Sequence, residues 1–225
     1  MSNNVWFISD LHFGHEAILY HRPGRRDVAG ISFEDLKADK KAAIEVYNKW
    51  LEDTWNSKVQ RNDHVYIVGD FSMMNKHDTE QLLGRLRGKK FLVKGNHDKS
   101  CKGLERFFQW TGDIKEVTFN QQQWPFIRQD EPFTVEICHY PMLTWKNRPT
   151  GTCMVHGHTH GDIDSFNDNS VELRVDVGLD GKLANYDLVS LEELYTRFEE
   201  IRDKSGSKSF RNHAEWLMER DGFRM

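Results

Sequence analysis

The sequence is poor in cysteine and contains no long apolar run. Its three cysteines, Cys101, Cys138 and Cys153, form neither an even set nor a Cys-x-x-Cys motif, which argues against a disulfide framework and against a cysteine-based metal site. We therefore predict that they are small core residues of a protein from a reducing compartment. No apolar stretch approaches the roughly 20 residues of a membrane-spanning helix, so we expect no membrane partner.

The beginning of the sequence does not show the pattern of a secretory leader, and the chain carries no excess of positive charge. The segment MSNNVWFISDLH enters an apolar strand at once, without a basic region or a small-residue cleavage site, so we expect a cytoplasmic protein. A net charge of −4 provides no general attraction to nucleic acid, although RPGRR (22–26) and RLRGKK (85–90) are local basic clusters. We interpret both clusters as solvated surface.

The length of the chain suits a single domain, with two small domains as the alternative. With 225 residues it can bury a substantial core. We predict one domain over residues 1–204. The polar stretch SGSKS (205–209) begins a C-terminal extension, residues 205–225, which we expect to be a short helix or a tail.

The first half of the chain alternates apolar strands with helical patterns. The strands are VWFIS (5–9), HVYIVGD (64–70) and KFLVKG (90–95). We predict helices from Ser32, a capping residue, to residue 55, and also over DTEQLLGRL (78–86) and KGLERFFQW (102–110). This alternation favours a parallel sheet.

The second half of the chain changes character. Four further strands follow one another with only loops between them, which predicts a more antiparallel sheet: EVTF (116–119), FTVEICHY (133–140), TCMVHGH (152–158) and VELRVDVG (171–178). An amphipathic helix capped by Ser190 then ends the domain.

Polar clusters occupy the strand ends, where sites collect in open α/β sheets. They are SDLHFGH (9–15), GD (69–70), GNHD (95–98), CHYP (138–141) and HGHTH (156–160). Side chains at i and i+2 of an extended strand point to the same side, so Asp10 pairs with His12, and His158 pairs with His160. Two such pairs at two strand ends predict a metal site.

The ordered series Asp-x-His, Gly-Asp, Gly-Asn-His-Asp, His and Gly-His-x-His resembles the calcineurin-like metallophosphoesterase superfamily over residues 5 to about 200. The segments ISDLHFGH and CHYPMLTW are similar to small bacterial and phage members. The resemblance implies an α/β fold, a four-layer αββα sandwich with two mixed β-sheets. It also implies two metal ions, with the following ligands: Asp10, His12 and His160 for the first, Asn96, His139 and His158 for the second, and Asp70 as a bridge.

The ligand types indicate the kind of ion, and the resemblance assigns the neighbouring residues. Imidazole and carboxylate suit two divalent transition-metal ions, with Mn first and Fe, Zn, Ni or Co as alternatives. The resemblance makes His97 the imidazole that protonates or stabilises the leaving oxygen. Asp98 would orient His97 or cap the following turn, and Gly95 and Gly157 would allow close backbone approach or unusual dihedral angles.

Substrate recognition is less well defined by the sequence. His15 and Arg22 are candidate substrate-binding residues, as are Arg25 and Arg26, although turn packing explains them equally well. Tyr140 and Trp145 are aromatic residues close to His139 in the sequence, and we interpret them as packing residues.

The expected function is hydrolysis of a phosphodiester or phosphomonoester by water that metal ions activate. The substrate is expected to be small or nucleotide-like. The protein phosphatases of the superfamily that this sequence resembles carry Gly-Asn-His-Glu. The sequence has Gly-Asn-His-Asp (95–98) at that place, which argues against a protein phosphatase. Two alternatives stay open: a nuclease, which would need a basic groove, and a catalytically silent scaffold for protein binding, which would be expected to lack some of the ligands.

Overall fold

A five-stranded sheet dominates the computed structural model, which describes residues 3–128, 132–170 and 172–204. With strands numbered along the chain, it contains β1 (Val5–Ile8), β2 (His64–Ile67), β3 (Lys89–Val93), β4 (Phe108–Gly112) and β9 (Val189–Ser190). The order is β4-β3-β2-β1-β9. Strands β1, β2 and β3 pair in parallel, as predicted. Strand β4, which was not predicted, pairs in parallel with β3, and β9 pairs antiparallel with β1.

A four-stranded sheet forms from the second half of the chain. Its strands, in spatial order, are β5 (Ile114–Phe119), β6 (Phe133–Cys138), β7 (Cys153–His156) and β8 (Arg174–Asp176). Only β5 and β6 pair antiparallel, whereas β6–β7 and β7–β8 are parallel, so the prediction of a more antiparallel sheet is wrong. The connections 139–152 and 157–173 reach the dozen or more residues that a parallel return requires.

The helices lie mostly in the first half of the chain. They are α1 (Glu16–His21), α2 (Pro23–Ala29), α3 (Phe33–Ala38), α4 (Lys40–Lys58), α5 (Lys76–Arg85), α6 (Asp164–Asn169) and α7 (Leu191–Lys204). Ser32 caps α3 as predicted. The helix expected beyond it is interrupted at Asp39, whose side chain accepts from the Ala42 N–H and starts α4. Ser190 caps α7, since its Oγ accepts from the Glu193 N–H at 3.2 Å.

The helix predicted over residues 102–110 is wrong. Short 3-10 turns occupy Asp98–Cys101 and Glu105–Phe107, and the chain then enters strand β4. Gly103 has a φ of +80°, which breaks a helix. The aromatic residues that follow suit an extended edge strand, and they pair with β3.

Two apolar clusters fill the spaces beside the first sheet. On β1, Val5 and Phe7 face the cluster shared with the second sheet, whereas Trp6 and Ile8 contact the cluster shared with the helices before β4. Tyr195 and Phe198 bring α7 into the first cluster. The predicted fold class, with two mixed sheets and helices, is thereby confirmed. The predicted extension, residues 205–225, lies outside the described residues.

The three cysteines behave as the sequence predicts. Cys101, Cys138 and Cys153 are buried and free. Burial raises the pKa of the Cys153 thiol to about 12, which keeps it protonated and unreactive.

Among the helices of the described ranges, none has both the length and the apolar character of a transmembrane segment.

We expect Phe7→Ala to lower the free energy of unfolding by about 3–5 kcal/mol. Phe7 is fully buried and its ring contacts Tyr66 of the first sheet at 5.3 Å and Phe119 of the second at 6.3 Å between centroids. Phe166→Ala is the matched control, because Phe166 is 58% exposed, and it should change stability by less than about 0.5 kcal/mol. Urea denaturation compares them, and equal losses would contradict a core shared by the sheets.

Candidate metal centre

The loops that follow five strands bring the predicted ligands to one end of the molecule. The ligands after the strands are Asp10 and His12 (β1), Asp70 (β2), Asn96 (β3), His139 (β6), and His158 and His160 (β7). Because β1, β2 and β3 run parallel, as do β6 and β7, their carboxyl ends lie together within each sheet. The two sheets meet so that both sets of loops reach the same place.

The first predicted ligand set forms a close cluster of donor atoms. Asp10 Oδ1 lies 3.9 Å from His12 Nε2 and 3.8 Å from His160 Nε2. Among the described residues, Asp10 Oδ1 and both ring nitrogens of His12 are buried without a hydrogen-bond partner. Unpaired buried polar atoms are costly, and a divalent cation between them would satisfy the carboxylate oxygen and the imidazole nitrogen together. The residues therefore fit a metal ion.

The second predicted set adjoins the first through Asp70. Its Oδ2 lies 3.6 Å from His12 Nε2 and 3.6 Å from His139 Nε2, which is the position expected of a bridging ligand. Asn96 Oδ1 is 3.1 Å from His139 Nε2. The His158 ring lies 5.1 Å from the His139 ring. The closest donor groups are Asp10–His12–His160 and Asp10–Asp70–His139, and Asn96 and His158 flank them on the solvent side.

Strained backbone, rather than extended strand, aims these side chains. Five of the seven have left-handed φ values: Asp10 (58°), His12 (51°), Asp70 (53°), His158 (69°) and His160 (50°). The explanation by i, i+2 alternation is therefore wrong, because β1 ends at Ile8 and β7 at His156. Each such conformation costs on the order of 1–3 kcal/mol, and clusters of them mark functional sites.

Glycines allow the ligand loops to approach one another. A Cβ on Gly157 would lie 1.9 Å from Ser9 Oγ and 2.5 Å from Asp10 Oδ2, and one on Gly95 would lie 2.3 Å from Asp70 Oδ1. Neither glycine has a positive φ. Of the two roles predicted for Gly95 and Gly157, the structure therefore supports close approach.

Hydrogen bonds at Nδ1 fix the tautomers of two predicted ligands, His139 and His160. His139 Nδ1 lies 2.8 Å from the Val68 carbonyl oxygen, so Nδ1–H donates to it and Nε2 keeps a lone pair that faces Asp70. His160 Nδ1 lies 2.8 Å from Asp180 Oδ2, which leaves Nε2 toward Asp10. Both arrangements are typical of metal-binding imidazoles.

Burial perturbs the titration of the ligands in the metal-free protein. It raises the pKa of Asp10 to about 6. It lowers the pKa of His12 to about 2, with a further contribution from the Arg25 charge. A neutral His12 keeps a lone pair on one ring nitrogen at neutral pH, as a metal ligand must. Burial also lowers the pKa of His158.

Asp98 anchors the loops that carry the ligands, and both roles predicted for it are wrong. It is buried and accepts backbone hydrogen bonds from Asp70 at 2.9 Å, Phe71 at 2.8 Å and Gly95 at 2.7 Å. Its donors among the described residues all precede it in the chain, so there it neither caps the following turn nor orients the His97 ring. It ties the loop after β2 to the loop after β3.

His97 and His15 lie beside the first cluster. The His97 side chain is exposed, and its ring centroid is 5.5 Å from that of His12. The backbone N–H of His97 donates to Asp70 Oδ1 at 2.8 Å, which fixes its position against the predicted bridging residue. His15 is half-buried, with its ring 5.2 Å from His12, and burial lowers its pKa.

The arginines after the first motif are engaged within the protein. Arg22 donates two hydrogen bonds of 2.7 Å to Asp162. Arg25 is fully buried and donates to Asp180 and to the Asp10 carbonyl, so the idea that Arg25 contacts substrate is wrong. The Arg26 guanidinium lies 5.0 Å from the Phe33 ring centroid, which is a packing contact.

The aromatic residues after His139 take different positions. Trp145 is buried and donates to the Thr152 carbonyl at 2.6 Å, as expected of packing. Tyr140, in contrast, is 46% exposed, and its ring lies 4.8 Å from the His158 ring at the rim of the site.

Two aspartates that the sequence analysis did not assign support the loop after β7. Asp176 accepts from Thr159 Oγ1 at 2.6 Å and from the Gly161 N–H at 3.1 Å, and Asp180 binds His160. Both occur in VDVGLDG (175–181), Asp176 as the last residue of strand β8 and Asp180 in the loop that follows it. The sequence analysis selected clusters of polar residues at strand ends. Asp176 and Asp180 meet the same criterion, which could have identified them.

Comparison with known proteins gives relatives of similar length. The chain is 26% identical over 223 residues to the Gene 66 protein of Mycobacterium phage L5, covering 91% of this chain and 98% of that protein. The Gene 66 protein of Mycobacterium phage D29 is 28% identical over 220 residues, with 89% and 98% covered. An uncharacterized protein of Methanocaldococcus jannaschii is 26% identical over 197 residues, with 84% and 87% covered.

A solved structure shares the fold. It is a protein of unknown function from Aquifex aeolicus, with a TM-score of 0.56 and 20% sequence identity, over 87% of this chain and 99% of that one. The family itself is shown by sequence: the model of the calcineurin-like phosphoesterase family matches residues 4–190, and the chain belongs to that family.

Proposed function

We propose that this chain is a dinuclear metal-dependent phosphoesterase that hydrolyses a phosphodiester or phosphomonoester of a small or nucleotide-like substrate. One observation carries the proposal: Asp10 Oδ1, His12 Nε2 and His160 Nε2 are directed toward one another, and two of these three atoms are buried without a protein partner. Asp70 extends the arrangement to His139, so that its carboxylate would be placed to hold two neighbouring ions.

The charges of the ligands favour an anionic substrate. Two divalent ions would carry four positive charges, and the carboxylates of Asp10 and Asp70 would cancel two, while the histidines and Asn96 are neutral ligands. About two positive charges remain to attract a phosphate ester. Bound ions of this kind polarise the phosphoryl oxygens and activate water at neutral pH. The nitrogen and oxygen donors suit Mn first, with Fe, Zn, Ni and Co as alternatives.

His97 is the proposed proton donor to the leaving oxygen. Its side chain is exposed beside the buried His12, so it is accessible to a substrate that approaches from solvent. The hydrogen bond from its backbone N–H to Asp70 fixes its distance from the proposed metal centre. An imidazole placed there would transfer a proton to an alkoxide as the phosphorus–oxygen bond breaks.

The pairing of arginines supports a small substrate over a nucleic-acid polymer. Nucleic-acid binding rests on several cationic side chains that are free to neutralise phosphates. Here Arg22 is paired with Asp162 and Arg25 with Asp180, so their charges are already compensated within the protein. His15 and Arg22 stay our candidates for substrate contact, Arg22 on condition that substrate displaces Asp162.

Activity should depend on added metal and should favour small esters. The protein would be stripped with a chelator and reloaded separately with Mn²⁺, Ni²⁺, Zn²⁺ or Mg²⁺. Each form would be assayed on an aryl phosphomonoester, an aryl phosphodiester, cyclic nucleotides and single-stranded DNA. We expect Mn²⁺ to restore hydrolysis of the small esters. Faster cleavage of DNA with strong salt dependence would favour the nuclease, and inactivity with every metal would favour the scaffold.

We expect His97→Ala to slow substrates with poor leaving groups about 10²- to 10⁴-fold, and those with good leaving groups much less. A good leaving group departs without a proton, so it does not need the imidazole. Metal content, measured by elemental analysis, should stay at the wild-type level. His77→Ala, at an exposed position of α5, is the matched control and should leave both rates unchanged. Equal slowing of both substrate types would exclude His97 as the acid.

We expect Gly157→Ala to weaken Mn²⁺ binding at least about tenfold, because its Cβ would displace Ser9 and the Asp10 carboxylate. Gly84→Ala is the matched control: a Cβ there meets no atom within 4 Å, and alanine favours a helix interior by about 0.5–1 kcal/mol. Calorimetric titration with Mn²⁺ and thermal melting compare the two variants. Wild-type binding by Gly157→Ala would contradict the assignment of Asp10 as a ligand.

A further inference from the structure

A buried ionic network lies directly behind His160. Arg25 is fully buried, and its guanidinium donates to both carboxylate oxygens of Asp180, from Nε at 2.8 Å and from Nη2. Asp180 Oδ2 also lies 2.8 Å from His160 Nδ1. The network therefore links α2 to the loops after β8 and β7, and the imidazole of His160 connects it to the first proposed ligand set.

The same guanidinium also holds the loop after β1. Its Nη2 donates to the Asp10 carbonyl at 2.7 Å, and its Nη1 donates to Tyr47 Oη at 2.7 Å. The Tyr47 hydroxyl in turn donates to the Leu11 carbonyl at 2.9 Å. Asp10 has a left-handed backbone conformation, and these bonds to the carbonyls of residues 10 and 11 help to keep it there.

The proton on the His160 ring is fixed by this arrangement. Its Nδ1 lies within reach of Asp180 Oδ2 at 2.8 Å and of Arg25 Nη2 at 3.3 Å. The guanidinium is always a donor, whereas the carboxylate accepts, so the shorter contact is the hydrogen bond and Nδ1 carries the proton. The two hydrogen bonds from the Arg25 guanidinium hold the Asp180 carboxylate in place as the acceptor for the His160 ring.

From this geometry we propose that Asp180 and Arg25 are positioning residues for one of the two metal ions, the one held by Asp10, His12 and His160. Asp180 holds His160 with Nε2 free to bind the ion, and Arg25 fixes Asp180 and the Asp10 backbone in one unit. This inference rests on the proposed metal centre. Within the described residues, the other ligand set has no side-chain network of this kind: His139 donates to a backbone carbonyl, that of Val68, and Asn96 and His158 are exposed.

The network predicts a selective loss of metal affinity. In the full chain, Asp180→Asn should weaken one of the two bound Mn²⁺ ions about 10- to 100-fold, as is typical when the carboxylate behind a ligating histidine is removed. The other ion should keep its affinity within about twofold, since no ligand of the second set contacts Asp180 in the described residues. Calorimetric titration with Mn²⁺, with electron paramagnetic resonance to count bound ions, measures both affinities.

A matched control separates this effect from the general loss of an ion pair. Glu172→Gln removes a different arginine–carboxylate pair, which Glu172 forms with Arg148 next to strand β8 and which is half-buried. Both Mn²⁺ affinities should stay at the wild-type value in this variant. Arg25→Lys keeps the buried charge but loses the planar fork, and it should weaken the same ion as Asp180→Asn. If Asp180→Asn does not fold, the Mn²⁺ affinities of Arg25→Lys test the proposed positioning role instead.

A measurement on the metal-free protein adds an independent readout. The ring ¹⁵N NMR shifts of His160 should show the proton on Nδ1 in the wild type and a mixture of tautomers in Asp180→Asn. Unchanged affinities and tautomer in both Asp180→Asn and Arg25→Lys would overturn the positioning role while leaving the proposed function intact. A wild-type protein that binds no Mn²⁺ would instead overturn the proposed function.

Discussion

Donor atoms without protein partners, buried around one small space, are the constraint on which this structure depends. Asp10 and His12 are at most 2% exposed, and Asp10 Oδ1 faces the imidazole nitrogens of His12 and His160 without accepting a hydrogen bond from any described residue. Burying such groups unpaired is costly, and burial is the main cause that raises the pKa of Asp10 to about 6. A divalent cation bound between these atoms would offset the free-energy cost of burying them.

The surrounding structure is organised to keep these atoms in place before any ion binds. Left-handed backbone at Asp10 and Asp70 is unfavourable locally, so it persists only where neighbouring contacts enforce it. Asp98 enforces it at Asp70 through the backbone N–H groups of residues 70, 71 and 95. Arg25 does so at Asp10 through its carbonyl. Gly157 provides the space, since any side chain there would strike Asp10.

The sequence predicted the parts of this arrangement that recur along the chain and missed those that depend on distant pairing. Polar residues at strand ends predicted a metal site, because strand–loop boundaries are local in sequence, and the family resemblance of these motifs implied the fold class and the full set of ligands. The Arg25–Asp180 pair joins positions 155 residues apart, and neither residue carries a local signal of burial. Arg25 therefore resembled a surface cation. The strand Phe108–Gly112 was mistaken for a helix because its pairing with β3, rather than its periodicity, decides its conformation.

The distribution of charge connects this architecture to the proposed chemistry. Arg22 and Arg25, which follow the first motif closely, are each neutralised by an aspartate, Asp162 and Asp180. Neither arginine therefore attracts an anion in the resting protein. In the proposed chemistry, the attraction for a phosphate ester would have to come from bound cations, whose charge Asp10 and Asp70 would compensate only in part. Affinity for substrate and the activation of water would then both depend on occupied metal sites, and the protein without its ions would have little attraction for the ester.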